Sequence, residues 1–145
     1  MLPPGPPRSA TLAVVSLPAG PPPAGTTFRT VAPCRLADTR GAAGPALAAN
    51  TRRDLVLTGA CGIPSTAKAL STTVTAPTSA GILVAYPGDL ATAPGVNTVA
   101  FGAGQTRANN AALLLAGDGS GKASFTAQMP TGSVHLVVDV NGWWE

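Results

Sequence analysis

Histidine occurs once in this chain, at His135, and acidic side chains number only six. A catalytic triad or a metal centre would therefore have to be built around one imidazole. Asp139 lies four positions on and shares its strand face, but at a rise of ~3.3 Å per residue the two are about 13 Å apart. No dyad follows from them. Zinc needs four good ligands, and the candidates around His135 are too few. The HExxH, GxSxG, P-loop and dinucleotide fingerprints are missing, and Gly102-Ala103-Gly104 runs into Gln105-Thr106-Arg107 in a strand-rich context, so it reads as a turn. A carboxylate pair for glycoside hydrolysis would come from Asp38, Asp54, Asp89, Asp118 and Asp139, whose spacing singles out no two. The expectation is a protein with no catalytic residue, no metal site and no cofactor.

Charge is equally scarce, at 10% of residues with a net of +3. The basic residues Arg8, Arg29, Arg35, Arg40, Arg52, Arg53, Lys68, Arg107 and Lys122 form no run interleaved with aromatics, which argues against a nucleic-acid footprint. The helix formers Glu, Lys, Gln and Met are almost missing, which argues against an α-rich fold. No apolar stretch approaches the ~18 residues of a membrane span. The run Ala10–Leu17 is short and follows Pro3, Pro4, Pro6 and Pro7 rather than a basic region, so it makes a poor secretion signal. Processing, or another route out of the cell such as a virus particle, is then expected.

What the chain has is 17 Gly, 15 Pro and 45% apolar residues, the composition of short strands joined by tight turns. At 145 residues there is material for one core. Strands are expected near Thr27–Ala32, Arg52–Thr58, Ala67–Ala76, Ile82–Tyr86, Val96–Phe101, Arg107–Leu115, Lys122–Ala127 and Ser133–Val140. The fold class is thus all-β, an antiparallel sandwich or jelly roll of about eight strands over residues 26–145. Asp118-Gly119-Ser120-Gly121 reads as the tight turn of a final hairpin. In the closing strand Val134, Leu136, Val138 and Val140 share a core face, and His135, Val137 and Asp139 share the other.

Residues 1–25 differ in kind. Proline clusters at Pro3–Pro7 and Pro18–Pro23 favour stiff, extended geometry and flank a candidate pairing strand at 10–17. Its faces, Leu12, Val14 and Ser16 against Ala13, Val15 and Leu17, are both largely apolar, so it wants burial on two sides. Such a strand inserts into its own sheet or adds to a neighbour's edge.

Cys34 and Cys61 stand 27 positions apart with no CxxC spacing, which favours a disulfide over a metal or redox motif; two buried free thiols are the alternative. Closing that loop is worth about 3–4 kcal/mol on the loop-entropy account. The densest motif, Ala32-Pro33-Cys34-Arg35-Leu36-Ala37-Asp38-Thr39-Arg40-Gly41, sets two arginines around Asp and Thr, a combination able to lock a loop by fork-to-carboxylate pairing. With Phe28, Cys61-Gly62-Ile63-Pro64, Ala67, Gly81, Tyr86-Pro87, Pro94, Gly104-Gln105-Thr106-Arg107-Ala108-Asn109-Asn110 and Asp139-Val140-Asn141-Gly142-Trp143, the chain resembles a repeat-like domain of secreted and cell-surface bacterial proteins. That family is common in high-GC lineages, often appended to hydrolases or present in tandem. The resemblance implies a β-rich extracellular accessory module in which Arg35, Asp38, Thr39, Arg40, Gln105, Arg107, Asn109 and Asp139 form a buried polar network at the sandwich end. Thr73 departs from the family's usual Asn before the Val-Thr of the third strand, and the arm before Thr26 lies outside the likeness.

Two functions are expected from this reading. One is structural: a non-catalytic module on an extracellular surface, cell surface or virion, decorating a filament, envelope or capsid, with Leu12, Val14, Val15 and Leu17 pairing the arm to a neighbouring subunit as a homo-oligomer. The other is glycan or cell-wall binding, with Tyr86, Asn110, Trp143 and Trp144 as contacts. Of the two tryptophans, one is expected in the core and the other as a lid over an apolar edge.

Overall fold

The computed structural model describes residues 25–76 and 80–145, with the backbone alone over 73–76. Residues 1–24 of the arm, with its strand at 10–17 and the four residues named for assembly, lie outside the described residues. Among the described residues the chain is all-β, with β1 (Phe28–Asp38), β2 (Leu47–Ala48), β3 (Arg52–Val56), β4 (Ala69–Ala76), β5 (Gly81–Pro87), β6 (Val99–Phe101), β7 (Arg107–Leu114), β8 (Lys122–Gln128), β9 (Ser133–Val134) and β10 (Val137–Trp144). The first sheet has the order β1-β10-β4-β7, the second β3-β8-β5-β6, and β2 pairs with β9 beside them. Every pairing is antiparallel.

Alternation along each strand builds the core between the sheets. The first sheet contributes Leu70, Leu113, Val138, Val140 and Trp143, and the second contributes Leu83, Phe101, Ala123, Phe125 and Ala127. The face expected for the closing segment is found, with Val134, Leu136, Val138 and Val140 all buried.

Three local expectations are corrected. The Cys34–Asp38 motif belongs to a strand rather than to a loop: Cys34, Arg35, Ala37 and Asp38 pair with β10, with register shifts between Thr30 and Cys34 and between Arg35 and Ala37. Those irregularities hide the strand from a period-two search. Next, the closing segment is two strands, interrupted at His135-Leu136. Buried Thr39 sits at that break, its Oγ1 accepting the Leu136 N–H at 2.8 Å and lying 3.2 Å from Nδ1 of His135. Finally, the Asp118–Gly121 turn forms, with Gly119 and Gly121 at φ of +80° and +68° and the Ser120 N–H donating to Asp118 Oδ1 at 2.8 Å. The strands it joins, β7 and β8, belong to different sheets, so it arches across the sandwich instead of closing a hairpin.

Phe125 is the largest fully buried side chain, set between the sheets on β8. Phe125→Ala is expected to lower stability by about 3–5 kcal/mol, because the lost transfer energy is compounded by an unfilled cavity. Urea unfolding followed by circular dichroism checks this: the midpoint falls while the slope with denaturant stays unchanged.

Candidate binding surface

The two outer faces of the sandwich are treated differently. On the second sheet, Arg52 of β3 reaches over its neighbours: Nη2 donates to the Gly88 carbonyl at 2.6 Å and Nη1 to the Leu90 carbonyl, while Nε donates to Asp54 Oδ1 at 2.7 Å. Its guanidinium lies over the Tyr86 ring, 5.6 Å from the centroid. Beneath it Tyr86 is only 2% exposed, with its hydroxyl 3.0 Å from Thr126 Oγ1, and Ser124 Oγ donates to Asp54 Oδ1 at 2.7 Å. The segment after β5 is thereby pinned onto this face. A sugar platform needs an open ring face, which Tyr86 does not offer, so its expected role as a glycan contact is withdrawn.

On the first sheet the outer face is open. Strand register aligns Phe28, Trp144, Ala69 and Leu114 in one row across all four strands. Phe28 is 46% exposed, Leu114 59% exposed, and Trp144 is half-buried. The Phe28 and Trp144 rings pack with centroids 4.6 Å apart. Gly142 makes this possible, since the Phe28 ring occupies the space a Cβ there would need. A shallow hollow of about 270 Å³ lies between Thr26, Lys68, Ala69, Ala112, Leu114 and Trp144. Trp143 points the other way and is 7% exposed within the core, so it too is removed from the glycan contacts. Of the tryptophan pair, then, one is core and the other half-covers an apolar rim, as the alternation implied.

The far end of this face is polar. Arg35 forms a fork on Asp139, with Nε to Oδ1 at 2.8 Å and Nη2 to Oδ2 at 3.2 Å, and its Nη1 donates to Asp38 Oδ2 at 3.2 Å. Arg40 holds the same Asp38 through Nε at 2.9 Å, Nη2 at 2.7 Å and its backbone N–H at 3.0 Å. Hydrogen bonds from Arg40 keep the Asp38 carboxyl below the usual carboxylate range. Two guanidinium groups meet two carboxylates here, so the charges cancel and the cluster ties β1 to β10.

The polar residues expected as one buried network divide into separate groups. Arg35, Asp38, Arg40 and Asp139 stand together, but at the surface, with both arginine side chains about half exposed. Gln105 and Arg107 bond to each other at 3.1 and 3.2 Å, and Asn109 Nδ2 donates to the Thr98 carbonyl at 2.9 Å. These lie at or beside β7, with β4 standing between them and β10. Thr39 belongs to the β9–β10 break. Asn110 is exposed on β7, in register with Thr73, which is in turn in register with Asp139. Cys34 and Cys61 are disulfide-bonded, Cα to Cα 5.8 Å, with Cys61 at φ +54° in the turn that delivers it.

Phe28, Lys68, Ala112 and Leu114 were not anticipated as surface determinants. A signal for Leu114 was available: in Leu113-Leu114-Leu115, alternation must turn the middle residue away from its neighbours. Among the described residues no group of three or more His, Cys, Asp and Glu side chains comes together to hold a metal, and no helix is long and apolar enough to cross a membrane. No family model, no curated protein and no solved structure matches the chain.

Asp54 and Asp118 are also held below the ordinary range, by hydrogen bonds from Arg52 and Ser124 and from Ser120. A carboxylate with a depressed folded-state pKa stabilises the fold above its unfolded value of about 3.9 and loses that contribution as pH falls toward the folded value. The melting temperature is therefore expected to be flat between about pH 7 and 5 and to drop below about pH 4. Asp38→Asn should flatten that acid slope, as read from thermal melts across the range.

Proposed function

We propose that this chain is a non-catalytic structural module displayed on an extracellular surface or particle, decorating a filament, envelope or virus capsid, and that it assembles with neighbouring subunits through its N-terminal arm. The observation that carries this reading is the inequality of the outer faces: one is pinned shut by Arg52, and the other carries an apolar row across four strands whose two ends, Phe28 and Leu114, are exposed beside a half-buried Trp144. Large apolar side chains exposed close together on a sheet face are characteristic of surfaces with partners. The disulfide is in keeping with an oxidising compartment. The family resemblance points the same way, as does the doubly apolar 10–17 segment.

Among the described residues every core residue lies within 26–145, so a chain starting at Thr26 is a fair comparison. The full chain is expected to sediment as an oligomer and the shortened chain as a monomer. The same oligomer from both would remove the arm from the assembly.

A second reading, an accessory module for glycan or cell-wall binding, is favoured by the half-exposed Trp144 beside the hollow with Lys68 and Thr26 on its rim. Stacking of a sugar on this ring predicts that Trp144→Ala weakens retention on cell-wall material or a glycan array about tenfold, the scale of ~1.4 kcal/mol. Equal retention by the variant would dismiss this reading.

A further inference from the structure

Among the described residues the two four-stranded sheets have four strand edges, and three of them are blunted. β1 carries two register shifts, Pro33 and the ion-paired Arg29 and Arg35. β3 begins Arg52-Arg53, and Arg53 is anchored on the carbonyls of Ala43 and Pro45 at 3.2 Å each. β6 is only three residues long. Short, charged or irregular edges are how sheets avoid unwanted pairing.

β7 has none of these devices. Its eight residues, RANNAALL, pair with β4 in unbroken register, contain no Pro or Lys, and place their only charge at the first position. The Leu115 N–H donates to the Lys68 carbonyl at 2.9 Å, which fixes the phase of the ladder. Arg107, Asn109, Ala111 and Leu113 then face β4 with their backbone groups, while the N–H and C=O of Ala108, Ala112 and Leu114 point outward. No strand lies beside them among the described residues.

A strand seated on this edge would have Ala111 and Leu113 beside its inner face, and Ala112 and Leu114 beside its outer one. Beside residues 111–114 it must therefore be apolar on both faces, while Arg107, Asn109 and Asn110 line the other half of the edge. We infer that the free edge of β7 accepts residues 10–17 of a second copy of this chain by strand addition, an inference that rests on the assembly reading above. The segment offers eight residues to the eight of β7, with Leu12 and Val14 on one face and Val15 and Leu17 on the other. Taken at the polyproline rise, residues 18–25 would span about 25 Å, more than the ~15 Å width of a four-stranded sheet, so the chain's own β7 and a neighbour's are both within reach, and a full chain that sediments at 14.2 kDa would overturn the inference.

The experiment uses the full chain and measures mass by sedimentation velocity. Ala112→Pro deletes an outward N–H and leaves the β4 ladder intact, and Ala108→Lys blocks the same edge by charge should the proline variant fail to fold. Val14→Asp with Val15→Asp disables the arm. All are expected to fall to the single-chain mass of 14.2 kDa, with the melting temperature of the β7 variants within a few degrees of the parent. An arm variant that is monomeric while both β7 variants stay oligomeric overturns this inference and leaves the assembly reading standing. An arm variant that keeps the parental mass sinks the assembly reading itself. Monomeric β7 variants beside an oligomeric arm variant identify a different occupant of the edge and overturn the inference too.

Discussion

The first sheet exists only because β10 is inserted between β1 and β4. This strand is the last in the sequence, and it pairs along nearly its full length on both sides. Its inward side chains, Val138, Val140 and Trp143, are core residues, so one segment supplies both the ladder and much of the packing. Most of what secures the polar end of the domain also converges on β10 or the residue before it: the Arg35 fork on Asp139, and Thr39 accepting the Leu136 N–H. The Cys34–Cys61 bond adds a covalent tie from β1, the strand that β10 holds in place. Contacts between segments this far apart in sequence make the topology slow to assemble compared with a helical bundle of the same size.

The strands were largely legible in the sequence, because alternation and turn residues are local properties. Each of the eight expected segments overlaps a strand. What escaped was non-local. Leu47–Ala48 is a two-residue strand, too short to carry a period, and the break that separates Ser133–Val134 from β10 leaves no mark in the alternation. The bulges of β1 put Cys34 through Asp38 out of phase, so they read as a loop. The Asp118–Gly121 turn was recognised from its chemistry, but turn chemistry does not say which sheet receives the next strand.

The same distinction governs the site. Arg35, Asp38 and Arg40 lie within six residues, and their association could be read directly; Asp139 enters through the β1–β10 register. Gln105, Arg107 and Asn109 share a motif with no sequence sign that β4 separates them from the arginine cluster. Tyr86 and Trp143 are aromatic in sequence and inaccessible in the fold, since exposure depends on what packs above a ring. The apolar row is likewise a property of register: Phe28, Trp144, Ala69 and Leu114 become neighbours only across four strands.

Thr27 and Glu145 exchange backbone hydrogen bonds of 3.1 and 3.2 Å, so the two ends of the sandwich leave from the same spot. A load applied between those ends would act on the β1–β10 ladder from its terminus inward, meeting one pair of bonds at a time, as a zipper is opened. The disulfide joins β1 to the loop after β3 and does not bridge that seam. Stretched end to end, the domain would yield at low force, beginning with the peeling of β1 from its neighbour. Pulled from other points, where the ladder bonds must break together, the same sandwich would hold much longer.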